Sequence, residues 1–213
     1  MATLRALSFV AASFTLAGCA TLSGGVDNSR PSRPLDACSM IRENNWGKPL
    51  GAAARRWQVR AGVILAIIYQ ESSFEAKARP ARQDGFLFIP GKRPSDAYGF
   101  AQAKDATWEE YTDKGGRRFA KRDNFADAAD FVGWYLTQTE KRTGVARNDA
   151  NRQYLAYHEG AGGYMRGTYR KKKWLIATAQ KVESNANAYE RQITRCSNEL
   201  MGERSLLSFL PFR

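Results

Sequence analysis

The segment Ala61–Ser73 places the strongest constraint on the fold. Within it, three isoleucines and a glutamate (Ile64, Ile67, Ile68 and Glu71) recur at positions i, i+3, i+4 and i+7. This spacing puts the four side chains on one face of an α-helix, the face that turns toward a protein core. The pattern therefore predicts a helix that carries a carboxyl group on its inner face.

A carboxylic acid in an apolar wall loses hydration, which penalises its charged form and raises its pKa. A general acid that works near neutral pH needs this shift, so Glu71 is a candidate acid/base residue. The same position also fits a solvated glutamate at a helix end, or one half of an ion pair with an arginine. Spacing alone does not separate these alternatives.

The remainder of the body reads as a succession of helices. Phe125–Arg142 carries an apolar stripe, and Thr107 begins a capping-box pattern. Further helices are predicted at 37–45, 49–57, 60–72, 150–158, 171–185 and 188–200. Between 75 and 99 the pattern is that of a loop, whose apolar run 85–90 predicts a short strand or hairpin. We therefore expect a mostly α domain over 37–200 with a small β or loop insertion, followed by a C-terminal tail over 201–213.

The N-terminus has the parts of an export signal over residues 1–18: one arginine, a short apolar stretch and small residues at its end. The junction Leu16-Ala17-Gly18-Cys19 resembles the lipobox of bacterial lipoproteins. That resemblance implies cleavage before Cys19 and lipidation of this residue. Ala20 beside it implies the outer membrane, on its periplasmic side. The alternative is a soluble exported protein with a chance cysteine at the boundary.

Residues 19–36 are rich in Gly, Ser and Pro and lack apolar periodicity, so we expect a flexible linker after the lipid anchor. Export places the chain in an oxidising compartment, where Cys38 and Cys196 are expected to pair in a disulfide. The alternative is two buried free thiols.

The net charge of +12 predicts an acidic partner. Anionic lipid head groups, the carboxylates of peptidoglycan stem peptides and nucleic acid all carry the required charge. The export signal argues against nucleic acid, and the basic residues do not alternate with aromatic residues as in single-strand binders. We therefore expect no nucleic acid partner.

Several short sequence motifs, of which the first contains Glu71, come in a recognisable order along the chain. They are Ile67-Ile-Tyr-Gln-Glu-Ser-Ser73, Ala97-Tyr-Gly-Phe-Ala-Gln-Ala103, Leu155-Ala-Tyr-His-Glu-Gly160 and Ala188-Tyr-Glu-Arg191. This series resembles the lytic transglycosylase SLT domain, the lysozyme-like family that cuts peptidoglycan. The resemblance covers about residues 50 to 196 and implies a lysozyme-like or goose-type lysozyme-like helical fold.

The resemblance also implies roles for individual residues. Glu71 would be the single general acid/base in cleavage of the MurNAc–GlcNAc β-1,4 bond, with formation of 1,6-anhydromuramic acid ends. Tyr157 would orient Glu71 or the substrate N-acetyl group, Tyr189 would face the acid, and the Gln102 amide would hold a sugar. Substrate contacts are expected from Ser72, Ser73, Gly99, Gln102, Tyr157, His158, Glu159 and Tyr189. The partners would be peptidoglycan glycan strands and, through the lipid, a membrane, without a metal or organic cofactor.

The chain departs from the family pattern at three places. The basic loop 77–93 lengthens the separation between Glu71 and Gln102, and the turn before Gln102 carries Phe100 and Ala101. The third departure is His158-Glu159, where Glu159 is a candidate second carboxylate, as is Asp96. A second carboxylate would permit hydrolysis, so a hydrolytic muramidase of goose-lysozyme type stays open, as does a non-catalytic peptidoglycan-binding lipoprotein.

Overall fold

A computed structural model describes residues 25–83, 91–115 and 117–200, with side chains up to residue 196. In these ranges the chain forms seven α-helices and no strand. The helices are α1 (Ala37–Glu43), α2 (Gly47–Trp57), α3 (Ala61–Ser72), α4 (Asp105–Lys114), α5 (Phe125–Thr143), α6 (Ala150–Met165) and α7 (Lys173–Leu200). A 3₁₀ turn at Thr168–Lys171 joins α6 to α7. The mostly α fold class predicted from sequence is confirmed.

Helix α3 lies in the centre of the molecule. The three isoleucines of the predicted inner face are fully buried, but Val63 and Leu65 on its other faces are buried as well. A helix that is apolar all round is buried all round. The i, i+3, i+4, i+7 pattern therefore located the helix correctly, whereas its burial comes from apolar residues on every face.

Close contact with α7 fixes the position of α3. A Cβ atom at Gly62 would lie 2.3 Å from the carbonyl oxygen of Ala186, so only glycine allows the two backbones to approach in this way. The Gly62 amide also donates a hydrogen bond of 2.8 Å to the carboxylate of Glu190. The two helices are therefore joined by backbone packing and by a polar contact.

Cys38 on α1 and Cys196 on α7 form a disulfide, with Cα atoms 6.0 Å apart. The predicted pairing is therefore confirmed. The bond closes a loop with a sequence separation of 158 residues and so joins the two ends of the helical body.

Residues 25–36 pack against the helical body, so the prediction of a flexible linker over 19–36 is wrong for this part. Asp27 accepts a hydrogen bond of 2.7 Å from the Trp46 indole, and the Asn28 side chain accepts one of 2.7 Å from the Phe125 amide. Side-chain and backbone hydrogen bonds hold the segment, and such bonds leave no apolar period in a sequence.

Three helix boundaries also differ from the predictions. Helix α4 begins at Asp105, with Lys104 as its N-cap and no side-chain capping bond, so the capping box at Thr107 is wrong. Helix α6 continues past His158 to Met165 through a kink at Gly160. The two helices predicted over 171–185 and 188–200 are a single helix, α7, whose inner face is buried at Val182, Ala186 and Tyr189.

Some predictions lie outside the described residues: the export signal 1–18, Cys19, the apolar run 85–90 and the tail 201–213. In the described ranges no helix is long and apolar enough to cross a membrane. A single antiparallel bridge between Tyr98 and Ala103 is the β pairing found there.

Candidate active site

Glu71 lies one residue before the end of α3, where the buried helix reaches the surface. Its side chain is half-buried, and burial raises the pKa of its carboxyl from the ordinary 4.5 to about 7. The hydroxyl of Tyr154 hydrogen-bonds to the carboxyl group and partly opposes that rise. At neutral pH such a group exchanges a proton readily, as a general acid must.

The backbone turns sharply just after Glu71. Ser73 (φ 51°) and Phe74 (φ 62°) both adopt the left-handed conformation, which costs about 1–2 kcal/mol for each residue with a side chain. Packing holds this turn, because the Phe74 ring is fully buried 5.4 Å from the ring of Trp46. The turn ends α3 and leaves the Glu71 carboxyl at the helix end.

Three tyrosines from α5 and α6 lie within electrostatic range of the carboxyl group. Besides Tyr154, the negative charge of Glu71 raises the pKa of both Tyr135 and Tyr157, after the larger effect of burial. The rings of Tyr135 and Tyr157 meet edge to face, with centroids 4.8 Å apart. Burial beside these aromatic side chains is what stabilises the neutral form of the Glu71 carboxyl.

The turn Tyr98–Ala103 contacts α6 beside the site. The Tyr157 hydroxyl donates a hydrogen bond of 2.6 Å to the Ala101 carbonyl. Gly99 has φ +80°, and a Cβ atom there would lie 2.1 Å from the Arg122 carbonyl oxygen, so the turn requires glycine. The turn that contains Gly99 therefore contacts Tyr157, whose pKa is raised in part by Glu71.

Gln102 lies in the same turn with φ 46°. Its side-chain amide nitrogen donates to the carbonyls of Ala78 and Gly99, both at 2.9 Å. The nitrogen therefore holds the turn against the segment that follows α3. In this structure it is the side-chain oxygen that remains as a hydrogen-bond acceptor for a ligand.

The two serines after Glu71 have local roles. The Ser72 hydroxyl donates to the Ile68 carbonyl one turn earlier, at 3.1 Å, and Ser73 caps the helix in the left-handed turn. Both side chains are half-buried next to the acid. Substrate contact by these two serines stays a prediction.

Glu159 does not act as a free carboxylate. Its buried side chain accepts hydrogen bonds from Lys172 Nζ at 2.6 Å and from the Thr168 hydroxyl, and it contacts His158 Nδ1 at 3.0 Å. The Lys172 bond, with Thr168, lowers the pKa of Glu159 to about 2. A carboxylate held in this way anchors the α6 kink to the 3₁₀ turn, and Asp96, the other candidate, is exposed.

Tyr189 is not part of the site, which corrects the expectation that it faces the acid. Its ring is fully buried between α7 and α3, and its hydroxyl donates 2.6 Å to the Pro34 carbonyl. Burial and the nearby Tyr69 raise the pKa of Tyr189, with no contribution from Glu71. The Tyr189 hydroxyl therefore binds the packed segment before α1 and not the acid.

Sequence reasoning missed Tyr154 and Tyr135. Tyr154 lies three residues before Tyr157 on α6 and is therefore on the same helix face. This spacing was a usable signal. Tyr135 lies on the apolar stripe of α5, where nothing in the sequence separates a site residue from a core residue.

In the part of the chain that the structure describes, no three His, Cys, Asp or Glu side chains come together as metal ligands do. The arrangement is that of a single neutral-pH carboxylic acid in a tyrosine-lined recess. Such a group can donate a proton to a leaving oxygen and later withdraw one.

The comparisons with known proteins identify the family of the chain. A family model described as the transglycosylase SLT domain matches residues 7–196. No curated protein and no solved structure shows a significant match. Because the family match spans most of the sequence and the fold is helical as the family requires, the chain belongs to the transglycosylase SLT domain family of lytic transglycosylases.

Proposed function

We propose that the protein cleaves the β-1,4 bond between N-acetylmuramic acid and N-acetylglucosamine in peptidoglycan and leaves 1,6-anhydromuramic acid ends. Family membership indicates transglycosylase activity on peptidoglycan in general. The observation that carries the finer proposal is the half-buried carboxyl of Glu71, whose pKa of about 7 matches a general acid at neutral pH.

In this mechanism the protonated Glu71 donates its proton to the glycosidic oxygen as the bond to the muramyl C1 breaks. The positive charge that develops at C1 is stabilised by the neighbouring N-acetyl group. The resulting Glu71 carboxylate removes the proton from the muramyl 6-hydroxyl, and O6 attacks C1. The acid is thus regenerated, the anhydro ring closes, and no water is consumed.

Tyr154 and burial act on the acid in opposite directions. Its hydroxyl hydrogen-bonds to Glu71, and this bond favours the carboxylate, since it lowers the pKa. Burial favours the neutral acid. The balance of the two effects keeps Glu71 able to give and to accept a proton.

The state of the other carboxylates favours a lyase over a hydrolytic muramidase. Most glycosidases pair their acid with a second carboxylate within about 10 Å. The Glu159 carboxylate accepts hydrogen bonds from Lys172 and Thr168. Within the described residues, no other carboxylate contributes to the pKa of Glu71. A muramidase that needs a second carboxylate lacks support from these contacts.

The raised pKa also favours an enzyme over a non-catalytic binding lipoprotein. Holding a carboxyl in an apolar recess destabilises the fold wherever the group is charged. A glutamine would fill the same volume without this penalty. A protein that only binds peptidoglycan gains nothing from the acid.

The test is digestion of purified peptidoglycan with the full chain and with Glu71→Gln, followed by mass spectrometry of the products. We expect anhydromuramic ends from the wild type and none from the variant. Products heavier by one water would show that the enzyme is a hydrolase. Equal activity of Glu71→Gln would exclude Glu71 as the general acid/base.

We further propose that residues 1–18 are removed and that Cys19 carries a lipid holding the protein at the outer membrane, facing the periplasm. The lipobox-like Leu-Ala-Gly-Cys order supports this. The Cys38–Cys196 disulfide fits an oxidising compartment. Five residues lie between Cys19 and Gly25, so the described domain would lie within about 20 Å of its lipid.

A further inference from the structure

A basic corner projects from the junction of α6 and α7. It consists of Met165, Arg166, Arg170, Lys171, Lys173 and Trp174, all exposed. Met165 and Trp174 are 63% and 58% exposed, which is high for large apolar side chains. From residue 160 to 182 the sequence contains six Lys or Arg and no Asp or Glu.

The charges of this corner are not used by the fold. Of the six cations, Lys172 pairs with Glu159 and Lys181 lies outside the corner. The four Lys and Arg of the corner form no ion pair within the described residues. Lys171 and Lys173 flank the start of α7, whose first turn carries no acid. Positive charge is unfavourable at the positive end of a helix, so this arrangement lowers stability and is suited to binding an anion.

The corner is connected to the active site through α6. The Trp174 ring lies 5.1 Å from the ring of His158, and His158 directly follows Tyr157. Tyr157 in turn bonds to Ala101 beside the acid. The basic corner and the site at Glu71 therefore meet at two neighbouring residues of α6, His158 and Tyr157.

We infer that the basic corner binds the carboxylates of the peptides attached to a peptidoglycan strand, while the recess at Glu71 holds its glycan. This inference rests on the proposed function. Arg and Lys pair with carboxylates, and the exposed faces of Trp174 and Met165 cover the apolar side chains of the peptide. Because each muramic acid carries such a peptide, neighbouring disaccharides offer repeated carboxylates to one cationic surface.

The consequence is a preference for strands that carry peptides over strands from which an amidase has removed them. We would measure kcat and KM of the full chain on both substrates. Three exposed ion pairs together correspond to about a tenfold change in affinity. In Arg170→Gln/Lys171→Gln/Lys173→Gln, KM for peptide-bearing strands should rise about tenfold and kcat should change little, so that the preference is lost.

A matched control comes from another exposed cationic surface. Arg118 and Lys121 are exposed beside Phe119, which is 87% exposed, so Arg118→Gln/Lys121→Gln removes charge from similar surroundings. This control should keep the preference. Trp174→Ala should reduce it without changing the pH dependence of kcat.

The outcomes separate the two proposals. If neither substrate is cleaved, the proposed function fails. If both are cleaved with equal kcat/KM by the wild type, or if the control variant loses the preference as the triple variant does, the basic corner is not a peptide site and the proposed function stands. Loss of binding to phosphatidylglycerol vesicles in the triple variant, with the strand preference intact, would assign the corner to a membrane surface and overturn the inference.

Discussion

The hydroxyl of Tyr154 on α6 hydrogen-bonds to the carboxyl of Glu71 at the end of α3. Tyr154 is itself buried, and both burial and the charge of Glu71 raise its pKa, so its hydroxyl stays protonated and acts as a donor. The pair links the central helix to the helix that carries Tyr157. The protonation of Glu71 therefore depends on how α6 packs.

The first prediction concerns this hydrogen bond. Tyr154→Phe removes a bond that lowers the pKa of Glu71, so the pKa should rise above about 7. A hydrogen bond to a charged group contributes about 1.5–3 kcal/mol, which corresponds to one pKa unit or more. The alkaline limb of the pH–kcat profile should move upward by that amount, while kcat at its optimum falls about tenfold because the carboxylate loses a donor.

Tyr135→Phe is the matched control. Tyr135 also lies within electrostatic range of Glu71, but burial and Arg142 dominate its own pKa and no bond to the acid is found. Removal of the Tyr135 hydroxyl should shift the alkaline limb of the pH–kcat profile by no more than a few tenths of a pH unit from that of the wild type. An equal shift in both variants would assign the effect to general loss of polarity instead of the Tyr154 bond.

The second prediction separates Glu159 from catalysis. Glu159→Gln removes the carboxylate that binds Lys172 and Thr168, so the α6 kink should loosen and the free energy of unfolding should fall by about 1–3 kcal/mol. The product ends should remain anhydromuramic, as read by mass spectrometry. Complete loss of activity in a folded variant would restore Glu159 as a second carboxylate.

The third prediction concerns the disulfide. In the chain-entropy account, Cys38→Ser/Cys196→Ser should lower the free energy of unfolding by about 2–5 kcal/mol, since the bond closes a very long loop. Urea denaturation of the variant, and of the wild type with and without reductant, measures this. A reductant that lowers the stability of the wild type but not of the variant would confirm the assignment, and no difference between them would contradict it.

Much of the fold could be predicted because the helices carry their own signals. The apolar run 61–68 and the stripe of α5 predicted helices within two residues of their observed ends. The break expected in α7 was wrong, because packing of Ala186 and Tyr189 against the core outweighs the low helix propensity of the asparagines near it. Residues 25–36 were missed because hydrogen bonds, and not apolar burial, hold them.

The active site likewise contains residues that the sequence predicts and contacts that it does not. Glu71 could be located because a charged residue at the end of an apolar helix is conspicuous. The contact with Tyr154 could not, since it depends on how α6 crosses α3, and no local pattern encodes that crossing. Tyr189 shows the reverse error: a sequence motif placed it in the site, while packing directs its hydroxyl to Pro34.

The fourth prediction tests the anchor. If Cys19 carries a lipid, Cys19→Ala should move the protein from the membrane fraction to the soluble fraction, because the described helices provide no membrane span. Glu71→Gln, which leaves the N-terminus intact, serves as the control and should stay with the membrane. A Cys19→Ala protein that remains membrane-bound would contradict the lipid anchor.

The fifth prediction concerns the loss in the free energy of unfolding that the raised pKa of Glu71 causes. In the unfolded chain the carboxyl loses its proton near pH 4.5, whereas in the folded protein it keeps it until about pH 7. Between these values the folded state binds more protons, so the free energy of unfolding falls as the pH rises. The loss is absent below pH 4.5 and complete above pH 7.

Glu71→Gln removes this titration and retains an acceptor for Tyr154. The variant should therefore match the wild type at pH 4 and exceed it at pH 8, by at most about 3 kcal/mol for a shift of this size. Urea denaturation at the two pH values measures the difference. A variant less stable than the wild type at pH 8 would mean that the charged carboxylate is stabilised in its recess, and the argument for a neutral general acid at Glu71 would fall with it.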